Sequence, residues 1–537
     1  MPASSAPSMP NAVRRTIELV ALALFFGLVA IYAARPIWDI DVFWQIVTGR
    51  IITETRAIPT TDILSSIEPE REWATLEWLY GLLVFQLERL GGLGLVRYTH
   101  TAVQWIAFVV FWASLRFRLR FSAITSFVLV ALYVVLYADR FRERAHVFNL
   151  LFWTLLFPWL FDGPQKLDRT RIAVTAAVVF LWANLHSGGA LVFLISSTCL
   201  PAAALIERWA GSSEQNRNLA RAGLFLFSIT IAAVLAPNFV RSSIHIVTLL
   251  GEVDVFIPEW RPTWHYLSVG TIPGHYFCGL FPSAWIVPVA WIVAGPIRAL
   301  FEEGRHGFAR TLEPLGLHRI GLALAMLVLS HRALRFVEFA VYAVVFTVPA
   351  LKARLPIADR VKNPILAISA AALVAVGYHS RIMFLYGGSF GRAVRTAFGE
   401  RPILEGKFPE AASDFLVLKR FEGGIFVQPK WGGYLLYRLW PKATVSSDGR
   451  GTFSKEAMQD HWATSSPHEN FSTPTNGPTF EAVYGRSPNV DVVVAWHPAF
   501  PPGYTPERFT LVYHDQISEI WVRTDTQRGR AFIERTR

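Results

Sequence analysis

Long apolar runs separated by short polar segments occupy the chain from about residue 17 to residue 377. A helix needs about 20 largely apolar residues to cross a bilayer, fewer when its ends lie at the interface. On that rule the runs at 17–32, 93–115, 121–137, 147–161, 172–185, 190–205, 222–235, 278–297, 320–334, 336–351 and 364–377 predict about eleven membrane-spanning helices. Segment 76–90 is apolar on one face but carries Glu77, Gln86, Glu88 and Arg89, so it predicts an amphipathic helix lying at the interface. A second interfacial helix is expected at 42–53. Beyond about residue 405 the pattern changes to that of a soluble domain. Helices are expected at 408–419 and 431–439, and strands at 424–427, 443–446, 490–495, 509–513 and 519–522. This mixture predicts a small α/β layer domain.

The organisation expected is therefore a disordered cytoplasmic tail at 1–15, a helical membrane domain at 16–380 with a large outer loop at 35–92, and a soluble α/β domain at 405–537. Composition supports the membrane assignment: 53% of residues are hydrophobic and only 17% charged, whereas soluble domains carry about a quarter. The net charge of +11 invites a nucleic-acid partner. Its distribution argues otherwise, because the Lys and Arg residues concentrate in short loops at 116–120, 166–171, 208–221, 298–319 and 352–362. Basic loops of this kind face the cytoplasm. An odd number of spans then places the N-terminus inside and the C-terminal domain outside, in the manner of a bacterial inner (plasma) membrane protein with a periplasmic or extracellular domain. The first apolar run follows Arg14 and Arg15 but lacks a good small-x-small cleavage pattern, and reads as a retained helix. Cys199 and Cys278 both lie in apolar runs and read as buried thiols.

The distinctive polar residues fall on the expected outer side. Asp39 and Asp41 sit one residue apart just after the first span, which suits metal binding or proton abstraction; capping of the helix at 42–53 is the competing explanation. Asn184 and His186, in Trp182-Ala183-Asn184-Leu185-His186-Ser187-Gly188-Gly189, either bind substrate or end a helix at a glycine turn. Arginines in 139–146 and 331–335 break the basic-loop pattern, and their fork geometry suits a lipid-linked phosphate; snorkelling to headgroups is the alternative. Glu259, beside Trp260, is a further acidic candidate next to a ring able to stack on a sugar; a rigid loop is the competing explanation. The sequence contains no P-loop, dinucleotide fingerprint, zinc-type His/Cys set or Gly-x-Ser-x-Gly elbow.

Taken in order, these residues resemble a family of bacterial polytopic membrane proteins assigned to the GT-C glycosyltransferase superfamily. The likeness rests on Asp39-Ile40-Asp41-Val42-Phe43-Trp44-Gln45 continuing to Gly49-Arg50, on Pro59-Thr60-Thr61-Asp62, and on Glu77-Trp78-Leu79. It continues through Trp182 to Gly189, Leu334-Arg335-Phe336, Trp431-Gly432-Gly433-Tyr434-Leu435 and Asp448-Gly449-Arg450. Gln45 stands where the family has His, Ser187 is inserted, and the family's Asn after the late arginine is missing.

The resemblance implies transfer of a sugar, with inversion, from a polyprenyl-phosphate or -pyrophosphate donor to an extracytoplasmic lipid, glycan or protein acceptor. It implies Asp41 as base, with Asp39 orienting it or sharing a divalent cation (Mg or Mn) with it. Arg144 and Arg335 would hold donor phosphate. His186, Asn184, Glu77, Glu259 and Trp44 would complete substrate binding. A transporter or flippase of lipid-linked saccharides would need polar residues lining the spans, and these are few. A non-catalytic envelope-assembly protein would tolerate replacement of Asp41.

Overall fold

The structure, a computed structural model, describes residues 11–210, 215–252, 258–268, 273–312, 316–354, 389–450, 489–497 and 508–537, with isolated positions between 365 and 375. The expected span at 364–377 and the loop beyond residue 354 lie mostly outside the described residues. By its internal contacts the chain divides into two compact units, one of Met1–Arg35 with Tyr98–Gly399, the other of Pro36–Arg97 with Glu400–Arg537. Sequence reading placed 35–92 in the membrane domain as an outer loop; by contacts it clusters with the C-terminal residues instead.

The first unit is helical. Its helices are α1 (Asn11–Ala33), the end of α3 (Trp78–Ala113), α4 (Ala123–Tyr137), α5 (Val147–Asp162), α6 (Arg169–Leu185), α7 (Ser187–Ser197) and α8 (Cys199–Trp209). They continue as α9 (Gln215–Val234), α10 (Phe239–Glu252), α11 (His265–Ser268), α12 (Pro273–Leu312), α13 (Leu317–Arg332), α14 (Ala340–Arg354) and α15 (Phe390–Ala397). Helix α2 (Asp41–Thr55) belongs to the second unit. Among the described residues, seven helices are long and apolar enough to cross a membrane. The runs at 147–161, 172–185 and 320–334 form helices of 16, 17 and 16 residues. Segment 298–312, expected as part of a basic loop, continues α12 instead, with a break where Gly304 takes φ 68°.

An aromatic column fills the core of this unit. Phe108, Phe111, Tyr133, Trp153, Phe157 and Tyr342 are buried in mutual contact, and the Tyr133 and Tyr342 hydroxyls meet at 3.0 Å. Such rings bury large apolar areas, and a buried hydroxyl needs the partner it finds here. Helix α5 carries charged clusters at both ends. At its C-terminus Asp162 meets Arg118 at 3.2 Å and Arg171 at 3.0 Å, while Arg319 donates to the Phe161 carbonyl at 3.0 Å. Residues of three of the basic loops, Arg118, Arg171 and Arg319, thus meet at one end of α5. The 139–146 arginines precede its N-terminus, about 24 Å away at 1.5 Å per residue.

The second unit is built on a five-stranded sheet, in the order β2-β1-β3-β5-β4. Its strands are β1 (Gly423–Val427), β2 (Ala443–Val445), β3 (Val490–Trp496), β4 (Phe509–His514) and β5 (Ser518–Arg523). β1 runs parallel to β2 and β3, whereas β5 is antiparallel to β3 and β4. Helices α16 (Glu410–Leu418), α17 (Pro429–Leu439) and α18 (Gln527–Thr536) accompany it; α18 was not anticipated. β2 would be an open edge. Residues 64–66 cover it, since Val445 donates to the Leu64 carbonyl and Ser66 to the Val445 carbonyl at 3.0 and 2.9 Å. Helix α2 packs on α17, where Phe43 sits edge-on to Phe408 and Tyr434. α2 also crosses the start of α3 at Gly49 and Gly81; a Cβ on Gly49 would lie 2.1 Å from the Gly81 carbonyl oxygen.

Candidate functional site

In the helical unit, the polypeptide leaves α4 through a 3-10 turn, Ala138–Arg140, and runs irregularly to α5. His146 Nε2 bonds the Arg140 carbonyl at 2.7 Å and Arg142 Nε donates to the Asp139 carbonyl at 2.7 Å, which fixes this stretch. Arg142 and Arg144 both approach Glu259, each at 3.4 Å. Glu259 lies on the short turn Pro258–Trp260. Arg335 stacks its guanidinium 4.0 Å above the Trp260 ring, a geometry that favours Arg over Lys. The segment carrying it is tied to the same region by Leu334, whose N–H donates to the Arg261 carbonyl at 2.9 Å. Arg140, nearly buried, lies 3.5 Å from Glu338.

Arg142 and Arg144 thus share Glu259 and Arg140 lies beside Glu338, with Arg335 within electrostatic reach of both carboxylates. Burial acts to raise the Glu259 pKa, but Arg144, Arg142, Arg335 and Arg140 outweigh it and hold the carboxyl well below its ordinary range. His186 is lowered as well, to about 3, through burial and then through Arg335 and Arg140. Burial likewise lowers His146, with Arg140 adding to the effect. Both rings are thus neutral near pH 7. His186 Nδ1 accepts the Gly189 N–H at 2.9 Å and caps α7, which leaves the neutral ring's proton on Nε2.

Arg144, Arg335, Glu259 and His186 are four residues singled out from the sequence, and they converge here. Asn184 is buried two residues from His186, and its amide donates to the Phe180 carbonyl at 2.8 Å, within its own helix. The Trp182-to-Gly189 motif has a packing role as well. Trp182 Nε1 donates to Asn149 Oδ1 at 2.7 Å, and a Cβ on Gly189 would lie 1.9 Å from that same oxygen. Arg140 and Arg142 belong to the arginine-rich stretch 139–146 that the sequence singles out; His146 ends that stretch without being a candidate itself, and Glu338 carried only the signal of an acid inside an apolar run.

Asp39, Asp41, Trp44 and Glu77 belong to the other unit. Asp39 is 2% exposed, and its Oδ1 accepts the Asp41 N–H at 2.9 Å, at the first turn of α2. The N-cap position itself is Ile40, which makes no side-chain cap bond, so Asp39 braces the helix start from one residue before the cap. Asp41 is partly exposed, and its Oδ1 accepts the Trp44 indole N–H at 3.1 Å. Gln45 donates its amide to Glu77.

The loop after β2 closes on these groups. A Cβ on Gly449 would lie 1.8 Å from Asp41 Oδ1, so the glycine backbone rests directly against the carboxylate. Arg450 donates to Asp62 at 2.7 Å and to Asp448 at 2.9 Å, and lies 4.6 Å from the Trp73 ring centre. A Cβ on Gly432 would lie 1.8 Å from the Ser447 carbonyl oxygen, and Gly433 lies against the start of α2. The Asp-Gly-Arg, Trp-Gly-Gly-Tyr-Leu and Pro-Thr-Thr-Asp motifs thus meet around Asp41.

Among the described residues, no three His, Cys, Asp or Glu side chains gather as a metal cage. Asp39 and Asp41 offer a cation two carboxylates, each with one oxygen already accepting an N–H. That donor set suits a hydrated Mg-like ion completed by substrate phosphate more than a fully protein-bound one. No protein-family model and no curated protein matches this chain.

Proposed function

We propose that this protein is a GT-C-type membrane glycosyltransferase with about eleven spans. In this reading it resides in a bacterial inner membrane and moves a sugar from a polyprenyl-phosphate-type donor to an extracytoplasmic lipid, glycan or protein. The observation that carries the reading is the cluster of Arg140, Arg142, Arg144 and Arg335 around Glu259 at helix ends of an apolar, helical unit. Arginine binds phosphate through two parallel N–H bonds. A surplus of guanidinium groups beside apolar helices suits a ligand that is phosphate at one end and hydrocarbon at the other.

The chemistry then divides between two tasks. The arginines bind the donor phosphate and stabilise the charge that grows on it as its bond to the anomeric carbon breaks. The resemblance implies Asp41 as the base that takes the proton of the acceptor hydroxyl, whose oxygen forms the new bond to the anomeric carbon while the departing phosphate keeps the electron pair. The Trp44 indole N–H donates to Asp41 Oδ1 and fixes that carboxylate. Asp39 and Asp41 are the residues that would hold a divalent cation, Mg or Mn, which would supply charge neutralisation for phosphate.

Lipid-linked glycan profiling of cells with matched expression of wild type, Asp41→Asn and Arg144→Gln tests this reading. Both variants should accumulate an unused polyprenyl-phosphate sugar and lose one glycan. Unchanged profiles in both, with a clear change in a deletion strain, would sink transfer and point to transport or assembly.

A further inference from the structure

A cavity apart from Asp41 and the arginine cluster lies within the sheet-containing unit. Of about 650 Å³, it opens where β1, β2 and β3 begin, lined by Ser65, Ser66, Lys442, Thr444, Asn489 and Arg528 among others. This volume falls within the ordinary range for small-molecule sites, about 300–1,000 Å³. Its lining is polar. Three cations, Lys442, Arg528 and Arg535, face it together with one carboxylate, Glu422.

Three details make this a shaped site rather than a surface dent. Ser66 is 3% exposed, yet its hydroxyl has no hydrogen-bond partner among the described residues. A buried hydroxyl left so costs about 1–3 kcal/mol, which a ligand oxygen would recover. Arg528, Ala531 and Arg535 of α18 all line the cavity, at spacings that put them on one helix face. The small Ala531 leaves room between the two guanidinium groups. Finally, the floor is fixed by glycine: a Cβ on Gly424 would lie 1.9 Å from the Asn489 carbonyl oxygen and 3.1 Å from Ser66.

The cations are held loosely enough to be recruited. Arg528 lies 3.8 Å from Asp491 with 70% of its side chain exposed, and Lys442 lies 3.5 Å from Glu422 with both side chains more than half exposed. Such pairs contribute little to stability. Arg535 donates from Nη1 to the Arg420 carbonyl at 2.8 Å and from Nε to the Ala531 carbonyl at 3.4 Å, and a guanidinium has five N–H donors in all.

We propose that this cavity binds an anionic saccharide, a sugar acid or sugar phosphate of one or two rings. The hydroxyls of Ser65, Ser66 and Thr444 and the Asn489 amide meet its hydroxyl groups, and Arg528, Arg535 and Lys442 meet its charge. The proposal does not depend on Asp41 or on the arginine cluster. It is therefore tested by binding alone, on full-length Asp41→Asn protein in detergent.

Calorimetric titration with glucuronate, glucose 1-phosphate, inorganic phosphate and glucose should show binding of the two anionic sugars, with glucose and phosphate each at least tenfold weaker. Arg528→Ala combined with Arg535→Ala should weaken both sugars about tenfold or more with an unchanged melting profile, and Ser66→Ala should weaken them less. Thr444→Val, which keeps shape and removes a hydroxyl, should also weaken them. Binding of neither sugar, equal binding of glucose, equal binding of inorganic phosphate, or affinity unchanged by the double arginine variant would each overturn the proposal.

Discussion

Arg450 Nη1 donates to Asp62 Oδ1 at 2.7 Å, with the two side chains 0% and 1% exposed. The bond joins the segment after the first span to the loop after β2, 388 residues apart. Asp62 also accepts the N–H groups of Leu64 and Ser65, and Asp448 gives Arg450 a second carboxylate at 2.8 Å. Removing one partner of a buried pair costs about 3–5 kcal/mol, because the remaining charge is left uncompensated. Arg450→Met should reach that range, since two buried carboxylates lose their cation. Asp62→Asn should cost clearly less, as Asp448 still pairs the arginine. Urea unfolding in detergent, followed by tryptophan fluorescence, checks both; an equal or reversed order would contradict this account.

Gly449 rests against the Asp41 carboxylate, so Gly449→Ala must displace one of them. Overpacking of this kind costs about 1–3 kcal/mol. The variant should fold but lose most of the glycan product in the profiling assay, as Asp41→Asn does. A fully active Gly449→Ala protein would show that the position of Asp41 is unimportant.

The stacking of Arg335 on Trp260 at 4.0 Å distinguishes it from a simple point charge. Arg335→Lys keeps the charge but loses the flat face and the fork, so inorganic pyrophosphate should bind about tenfold more weakly. Glu259→Gln removes the carboxylate that Arg142 and Arg144 now share, and should tighten pyrophosphate about tenfold. Titration of the purified protein measures both. Weaker binding after Glu259→Gln would mean that the carboxylate organises the arginines rather than competing with the anion.

His186 is held at about 3 by burial and then by Arg335 and Arg140. Its ordinary value is about 6.5. Below pH 6.5 the unfolded chain takes up a proton that the folded chain refuses, so stability should fall as pH drops from about 6.5 toward 3 and stay level above that window. The largely buried ring should contribute about 1–2 kcal/mol at pH 5. His186→Gln, which still offers an acceptor to the Gly189 N–H, should flatten the acid limb of a melting-temperature profile. An unchanged limb would place the proton uptake elsewhere, His146 being the next candidate.

Much of the fold was legible because its elements follow local rules. The apolar runs at 17–32, 121–137 and 147–161 are α1, α4 and α5, and the strands at 424–427, 490–495 and 519–522 are β1, β3 and β5 to within two residues. A helix forms at 42–53, as α2. Less local features escaped. Segment 298–312 is charged enough to resemble a loop, yet pairs such as Arg298 with Glu302 at 2.7 Å lie along one face of α12. α18 is short and polar, and is defined by a Thr526 cap more than by an apolar stripe.

The candidate site divides along the same line. Sequence by itself determined which residue types were out of place: arginines between apolar runs, carboxylates beside a span, glycines in Trp-Gly-Gly and Asp-Gly-Arg. Such anomalies show without a fold, because burying charge or omitting a side chain carries a cost wherever it occurs. Only tertiary structure decided their partners. It set Glu259 between Arg142 and Arg144, gave Asp62 to Arg450, and laid Gly449 against Asp41. These contacts join residues more than a hundred positions apart in the chain, and pairing over such distances is fixed by packing of whole elements, not by any local pattern.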